Sequence, residues 1–320
     1  MEPIAPFAFD FNLGHIPREP KATDYPVEAI LGMASPTPAV WQPSDALNVP
    51  ITMQNKEPAC GGYAVQYSLV LKLYRQLVAA GKAGEYQPLS SRSAYAVEKF
   101  IDGFGLNTAG TTIEAVAKVR VLWGICTELL FPSDVTLDPV TFGSYNLMSD
   151  QAKADAIARA TKESYFFLGN KPSLQTIKDA IYNFGDVILE LQVGDEWWTA
   201  LDGTVSWNAA DILLPSLRPP KTVVSSHFVD AMAFDESSIS FPNEWSKAWG
   251  NNGWGNFQKN YVPYIVNGVA FKAVPPSVKT VLVPHPVEQI ITPHQVSIVQ
   301  QILQDIKQVL GLMSQEIGKP

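Results

Sequence analysis

Between residues 60 and 80 the apolar positions recur at alternating steps of three and four. Ala64, Tyr67, Leu71, Tyr74 and Val78 fall on one face, which predicts a helix that Gly81 and Gly84 stop. The same spacing predicts helices over about 91–102, 111–123 and 149–161, with Thr111 or Thr112 and then Ser149 as N-caps. "SLQTIKDAIYNF" adds another, opened by Ser173 and closed by Gly185. After it the period shifts towards two. "DVILELQV", "TVVSSHFVDAMAFD", "GNFQKNYVPYIVNGVAFKAV" and "TVLVP" read as strands separated by turn residues. Helices first and strands second predict the α+β class, with two segregated lobes.

Both ends depart from this pattern. The first 50 residues are rich in proline, and "GHIPREPKATDYP" and "ASPTPAVWQP" read as extended chain. At the other end Pro275, Pro276, Pro284, Pro286 and Pro293 punctuate a linker. Beyond it Val299, Ile302, Ile306, Val309 and Met313 step 3-4-3-4 behind a Thr292 N-cap with Pro293 at the first helical position. Leu303, Leu310 and Ile317 widen that seam. Docking on its own domain and partner binding or self-association through residues 292–317 both fit such a helix. The organisation expected is a lead over 1–50, a domain over 51–280 and a linker with an amphipathic helix over 281–320. The domain divides into a helical lobe over about 51–165 and a β lobe over about 166–280.

Composition narrows the classes of partner. Of 320 residues, 46% are hydrophobic and 17% charged, an ordinary globular balance. The net charge of -8 and the lack of a Lys/Arg cluster argue against nucleic acid. No apolar run approaches the roughly 20 residues that cross a bilayer, which argues against a membrane. The start has no basic region followed by an apolar one, so the expectation is a protein without a signal peptide, cytoplasmic in its producing cell or virion-associated. Two distant cysteines make no disulfide framework. No cofactor and no metal enter the expectation.

Those cysteines matter for chemistry instead. Cys126, in "LWGICTELLF", has the apolar neighbours of a core residue. Cys60, in "QNKEPACGGYAV", sits at a predicted helix start, where the positive end of the dipole lowers a thiol's pKa. Of four histidines, His15, His285 and His294 lie in proline-flanked segments, whereas His227 lies inside a strand-like run. "NEWSKAWGNNGWGNF" reads as a glycine-rich hairpin with an aromatic core, or as a sugar-binding platform. A thiol nucleophile needs a base, an orienting group for that base and donors for an oxyanion. His227, Asn243, and the Gln54 side chain with the Cys60 N–H would fill those roles.

These residues resemble the papain-like cysteine peptidases, of the bacterial and viral type without a recognisable prosegment. Gln54 precedes Cys60 by the six residues usual there. "HFVDAMAF" is similar to the family's histidine strand, and "NEWSKAWGNNGW" to its asparagine segment sixteen residues on. "GTTIEAVAKVRVLWGICTELLFP" and "GHIPREPKATDYP" extend the likeness over residues of about 11 to 275. The resemblance implies a two-lobed fold, a helical left lobe beside an antiparallel, barrel-like right lobe. It implies a cysteine peptidase acting on a protein or peptide through Cys60, His227, Asn243 and Gln54. It further implies that Trp245 covers the Asn243–His227 hydrogen bond and that Trp249 lines the leaving-group side. Gly110 would face the substrate backbone, and Phe228 would narrow the pocket for the residue before the scissile bond.

Two features depart from the family. Gly61 stands where a tryptophan usually follows the nucleophile, and the usual nearby disulfide cysteine is absent. Asp230, on the strand face of Phe228, is expected to be a carboxylate satisfied by backbone donors. The alternatives to a peptidase are a catalytically silent papain-fold component of a larger assembly such as a virion, and an isopeptidase or transpeptidase using the same site.

Overall fold

Helix α1, Cys60–Ala79, has no polar face over its first three turns: every residue from Cys60 to Leu71 is buried. A helix of that kind has to be enclosed on all sides. The predicted stripe through Ala64, Tyr67 and Leu71 is therefore correct in phase but incomplete, since Val65, Leu69 and Val70 are buried too. Only the last turns reach the surface, where Val78 is half exposed. The helix closes with Gly81 at φ +71°. There the Gly81 N–H donates to Val78 O and the Lys82 N–H to Leu77 O, the paired bonds that finish a helix through a left-handed residue.

The computed structural model describes residues 36–46, 49–54, 57–194, 197 and 223–272. The chain divides into two compact units, Met1–Ala273 and Val274–Pro320, and the described residues all belong to the first. The expected strand "TVLVP", the linker and helix over 281–320, the lead up to residue 35, and His15, His285 and His294 lie outside the described residues.

Around α1 the helical lobe follows its caps. Helix α2, Ser91–Asp102, opens on the Ser90 side chain, which accepts from the Ser93 N–H, and closes on Gly103 at φ +68°. Helix α3, Ile113–Lys118, opens on Thr112, whose hydroxyl accepts from the Ala115 N–H. Its last predicted turn, Val119–Trp123, winds more loosely as a π turn. Two shorter helices follow, α4 over Pro139–Phe142 and α5 over Asp150–Ala158, the latter capped by Ser149 as expected. Helices α1 and α2 touch closely at Gly62. A β-carbon there would stand 2.6 Å from Ser91 O and 2.9 Å from Tyr95 N.

The second lobe begins with strand β1, Ser164–Phe167, and helix α6, Leu174–Phe184, capped by Ser173. Strands β2 (Val187–Gly194), β3 (Val223–Ala231), β4 (Ala233–Phe234), β5 (Ser238–Pro242), β6 (Trp254–Gln258) and β7 (Ile265–Lys272) follow. They build two antiparallel sheets, β1-β7-β2-β3 and β4-β5-β6, which do not close into a barrel among the described residues. The α+β class with a helical first lobe and a strand-rich second lobe is thus what the structure shows. Strands β1 and β5 carry no sequence signal, since β1 is four residues long and β5 is buried throughout, without alternation. The long run from 255 to 274 is split by a 3₁₀ turn, Lys259–Tyr264, that contains Pro263.

An ion pair ties the lobes together behind the helix. Arg120, in the π turn, is buried and lies 2.5 Å from Asp186, which opens β2. The Ser68 hydroxyl of α1 donates to the same carboxylate at 2.5 Å, and the guanidinium stacks 3.9 Å over the Phe271 ring of β7. Asp230 lies beside Asp186 and Arg120, not among backbone donors as the sequence suggests. Burial and the Asp186 charge push its carboxyl well above the usual range, against the Arg120 charge.

Two substitutions test this packing. Gly62→Ala forces two helix backbones apart and should cost about 1–3 kcal/mol in chemical denaturation. Arg120→Ala leaves Asp186 buried without its cation and should cost about 3–5 kcal/mol by the same measurement, with Asp186→Asn added to it recovering part of the loss.

Candidate active site

The N-terminus of α1 meets strand β3 at the boundary of the lobes. Cys60 is the first residue of the helix, and its thiol lies within hydrogen-bonding reach of the backbone N–H groups of Phe228 and Gly61. Phe228 directly follows His227 on β3, so the sulfur lies against the histidine's own stretch of strand. His227 Nε2 is 3.0 Å from Asn243 Oδ1. Its Nδ1 is buried with no hydrogen-bond partner among the described residues. The tautomer with its proton on Nε2 therefore donates to Asn243 and leaves a lone pair on Nδ1.

Asn243 is placed by the end of β5, where its N–H donates to Gly253 O at 2.8 Å. The segment after it bonds across the lobes. The Gln54 N–H donates to Glu244 O at 2.6 Å, and Met53 forms a bridge with Trp245. Gln54 is thereby fastened beside Asn243, 189 residues away in sequence (243 − 54). Its side-chain Nε2 donates to Glu57 O, which occupies one of the two amide hydrogens. Gln54, Cys60, His227 and Asn243 are all fully buried.

Aromatic rings enclose the histidine. Trp245 lies 5.0 Å from the His227 ring, centroid to centroid, and Trp197 5.7 Å away at 80°. Trp249 stands behind them. It is buried, and its Nε1 donates to Trp197 O at 2.9 Å, while Trp197 Nε1 donates to the Tyr261 hydroxyl at 2.9 Å. The Trp245 ring is tilted 38° to the His227 ring. Trp249 is an anchor of the cluster and has no surface along a cleft. Phe228 is likewise a core side chain without exposure. Gly110 has the left-handed φ of +81°, but its peptide is engaged internally: its N–H donates to the Tyr95 hydroxyl at 3.2 Å and its carbonyl accepts from Lys99 Nζ at 3.0 Å. The structure thus does not present Trp249, Phe228 or Gly110 to a substrate. Cys126 is buried in the core, as its neighbours suggest.

Charge in the site is set by burial. Desolvation pushes the Cys60 thiol up, with the Glu244 and Glu98 charges adding to it and the Phe228 and Gly61 amides opposing it. Desolvation pulls His227 down to about 4, against the Asn243 hydrogen bond. The expectation that the helix end lowers the thiol's pKa is therefore corrected. The dipole is worth a fraction of a kcal/mol to about 2 kcal/mol, less than removing a thiolate from water costs here. Burial thus favours the uncharged form of both the thiol and the imidazole.

Glu98 and Glu244, two buried carboxyls, escaped the sequence reading. Burial raises both well above the usual range. Glu98 Oε2 lies 2.8 Å from where a β-carbon on Gly61 would stand, and Thr111 Cγ2 lies 2.5 Å from it. That explains Gly61: the space a tryptophan would need is filled from α2 and the entry to α3. Nothing in the pattern marks Glu98, since charged residues are rarely this buried. For Glu244 the one signal is its place next to Asn243. Trp197 stands in "DEWWTA" without any pattern around it.

No family model matches the sequence, and no curated protein matches it significantly. Solved structures do. Xylellain, a cysteine protease from Xylella fastidiosa, superposes with a TM-score of 0.62 at 18% identity, over 82% of this chain and 96% of that one. Digestive procathepsin L2 proteinase from the Tenebrio molitor larval midgut gives 0.56 at 17%, over 82% and 78%. Bromelain from Ananas comosus gives 0.54 at 12%, over 74% and 100%. The chain has the papain-like cysteine protease fold.

The loop between Gln54 and Cys60 carries a pH-dependent test. Burial raises the Glu57 carboxyl to about 7, with Asp138 adding and Arg92 opposing. The folded chain thus keeps this proton to about pH 7, while the unfolded chain releases it near 4.5. Glu57's contribution to stability is complete below the unfolded value and is lost as pH rises through the folded one. Glu57→Gln should therefore stabilise the protein against urea at pH 8 and change little at pH 4. Equal effects at the two values would contradict it.

Proposed function

We propose that this protein is a cysteine peptidase that hydrolyses peptide bonds in a protein or peptide substrate. The observation that carries the reading is the His227 Nε2–Asn243 contact of 3.0 Å, which leaves Nδ1 as a free base beside the strand that holds the Cys60 thiol. The fold, shared with cysteine proteases, supports it. In this reading His227 Nδ1 takes the Cys60 proton as the sulfur attacks the carbonyl carbon. The Cys60 N–H and the remaining Gln54 amide hydrogen receive the oxyanion. Nδ1 then returns the proton to the departing amine, and water activated by the same nitrogen releases the acyl group. Asn243 holds the ring in the tautomer this needs.

The complete burial of Cys60, His227 and Asn243 favours a second reading, a papain-fold binding or structural component of a larger assembly. Labelling with iodoacetamide or an epoxysuccinyl inhibitor, the class of the E64 bound in the bromelain structure, separates the two. Selective labelling of Cys60 over Cys126, with cleavage of an unfolded protein that Cys60→Ala abolishes, supports the peptidase. Equal, slow labelling of both thiols without cleavage supports the silent component. In an active enzyme, Gln54→Ala should lower kcat by about 10²–10³-fold, as expected for one lost oxyanion donor.

A further inference from the structure

Asn243 is not the only acceptor at the edge of the histidine ring. Glu244 Oε1 lies 3.3 Å from His227 Nε2, and neither side chain has any exposed surface. Its two oxygens make no hydrogen bond among the described residues, and Oε1 lies within ion-pair distance of the ring. The backbone enforces it, because the Gln54 N–H holds Glu244 O at 2.6 Å while the Asn243 N–H is held by Gly253 O. We propose that Glu244 is a positioning residue for His227: its carboxylate shares the Nε2 edge with Asn243 and keeps the ring charged once the ring has taken the thiol proton. This rests on the reading of Cys60 as nucleophile and His227 as base.

The chemistry follows from what surrounds the carboxyl. Cys60, Tyr63 and Tyr67 face it from α1, and each has its own ionisation opposed by the Glu244 charge. Glu98 acts on Cys60, and Glu57 on Tyr63, in the same sense. His227, 3.3 Å away, is the cation that a negative Glu244 would pair with. Burial alone drives the ring and the carboxyl each towards the neutral form. At 3.3 Å the two are not independent, and charging one favours charging the other, so they titrate as a pair. When the Cys60 proton reaches Nδ1, the proton on Nε2 stays with Asn243 Oδ1, and Glu244 Oε1 lies 3.3 Å from the same nitrogen. An amide oxygen alone would offer the imidazolium a dipole, whereas a carboxylate offers it a full charge.

Ring-nitrogen NMR of ¹⁵N-labelled protein across pH tests this, with the His227 signals assigned by their loss in His227→Gln. The wild-type ring should keep its second proton to a pH at least one unit higher than in Glu244→Gln, a tenfold difference in proton affinity. In Glu244→Gln the acid limb of kcat/KM should move to lower pH by a similar amount with KM little changed, and Glu244→Asp should restore part of both. In the wild type alone, the ¹³C-labelled Glu244 carboxyl should be ionised over the pH range in which the His227 ring still holds its second proton. Identical ring titrations in wild type and Glu244→Gln, or a carboxyl that keeps its proton until the ring has lost its second one, would overturn the proposal. The peptidase reading is judged separately, by cleavage and by selective Cys60 labelling in the wild type. A shifted ring without cleavage defeats that reading and leaves the charge contact standing.

Discussion

Enclosure of helix α1 is the constraint on which the rest of the structure depends. From Cys60 to Leu71 the helix has no side that water could solvate without cost, so other elements must cover all of it. Helices α2 and α3 cover one side, and the sheet carrying β3 covers the other. The cover on the helical side is close because Gly61 and Gly62 have no β-carbon to hold the neighbours away. With the helix enclosed, its first residue necessarily lies against β3, next to His227. The Arg120–Asp186 pair then fixes the two lobes at the back of the same helix, so Cys60 and His227 are brought together by packing rather than by any direct bond between them.

The same enclosure sets the chemistry. A dry site favours neutral forms, which overrides the helix dipole at Cys60 and favours an uncharged His227 ring. A proton transferred inside such a site creates two charges in a weakly polarisable surrounding, and each needs a partner. The sulfur has backbone amides, and the ring has Asn243 with Glu244 beside it. Trp245, Trp197 and Trp249 exclude water from the ring edge, which strengthens every one of these interactions.

Local signals survive into the structure because they act over a few residues. The Ser90, Thr112, Ser149 and Ser173 caps and the Gly81 stop depend only on neighbours in sequence. Elements without local contrast were not legible. Strand β5 is buried at every position, and the all-round burial of α1 looks from its sequence like one apolar stripe among others.

For the site, the sequence determined which chemical groups exist and in what order: an amide at Gln54, a thiol at a helix start, an imidazole in a strand and an amide at Asn243. A resemblance in spacing to the papain-like cysteine peptidases suggested roles for them. Only the tertiary structure decided what each group experiences. It buried Trp249 and Phe228, closed the Gly110 peptide onto Tyr95 and Lys99, and set Glu98 under Gly61 and Glu244 against His227. The reason is physical. Propensity and periodicity report interactions along the chain, whereas desolvation and electrostatic fields are summed over neighbours that the chain brings in from far away.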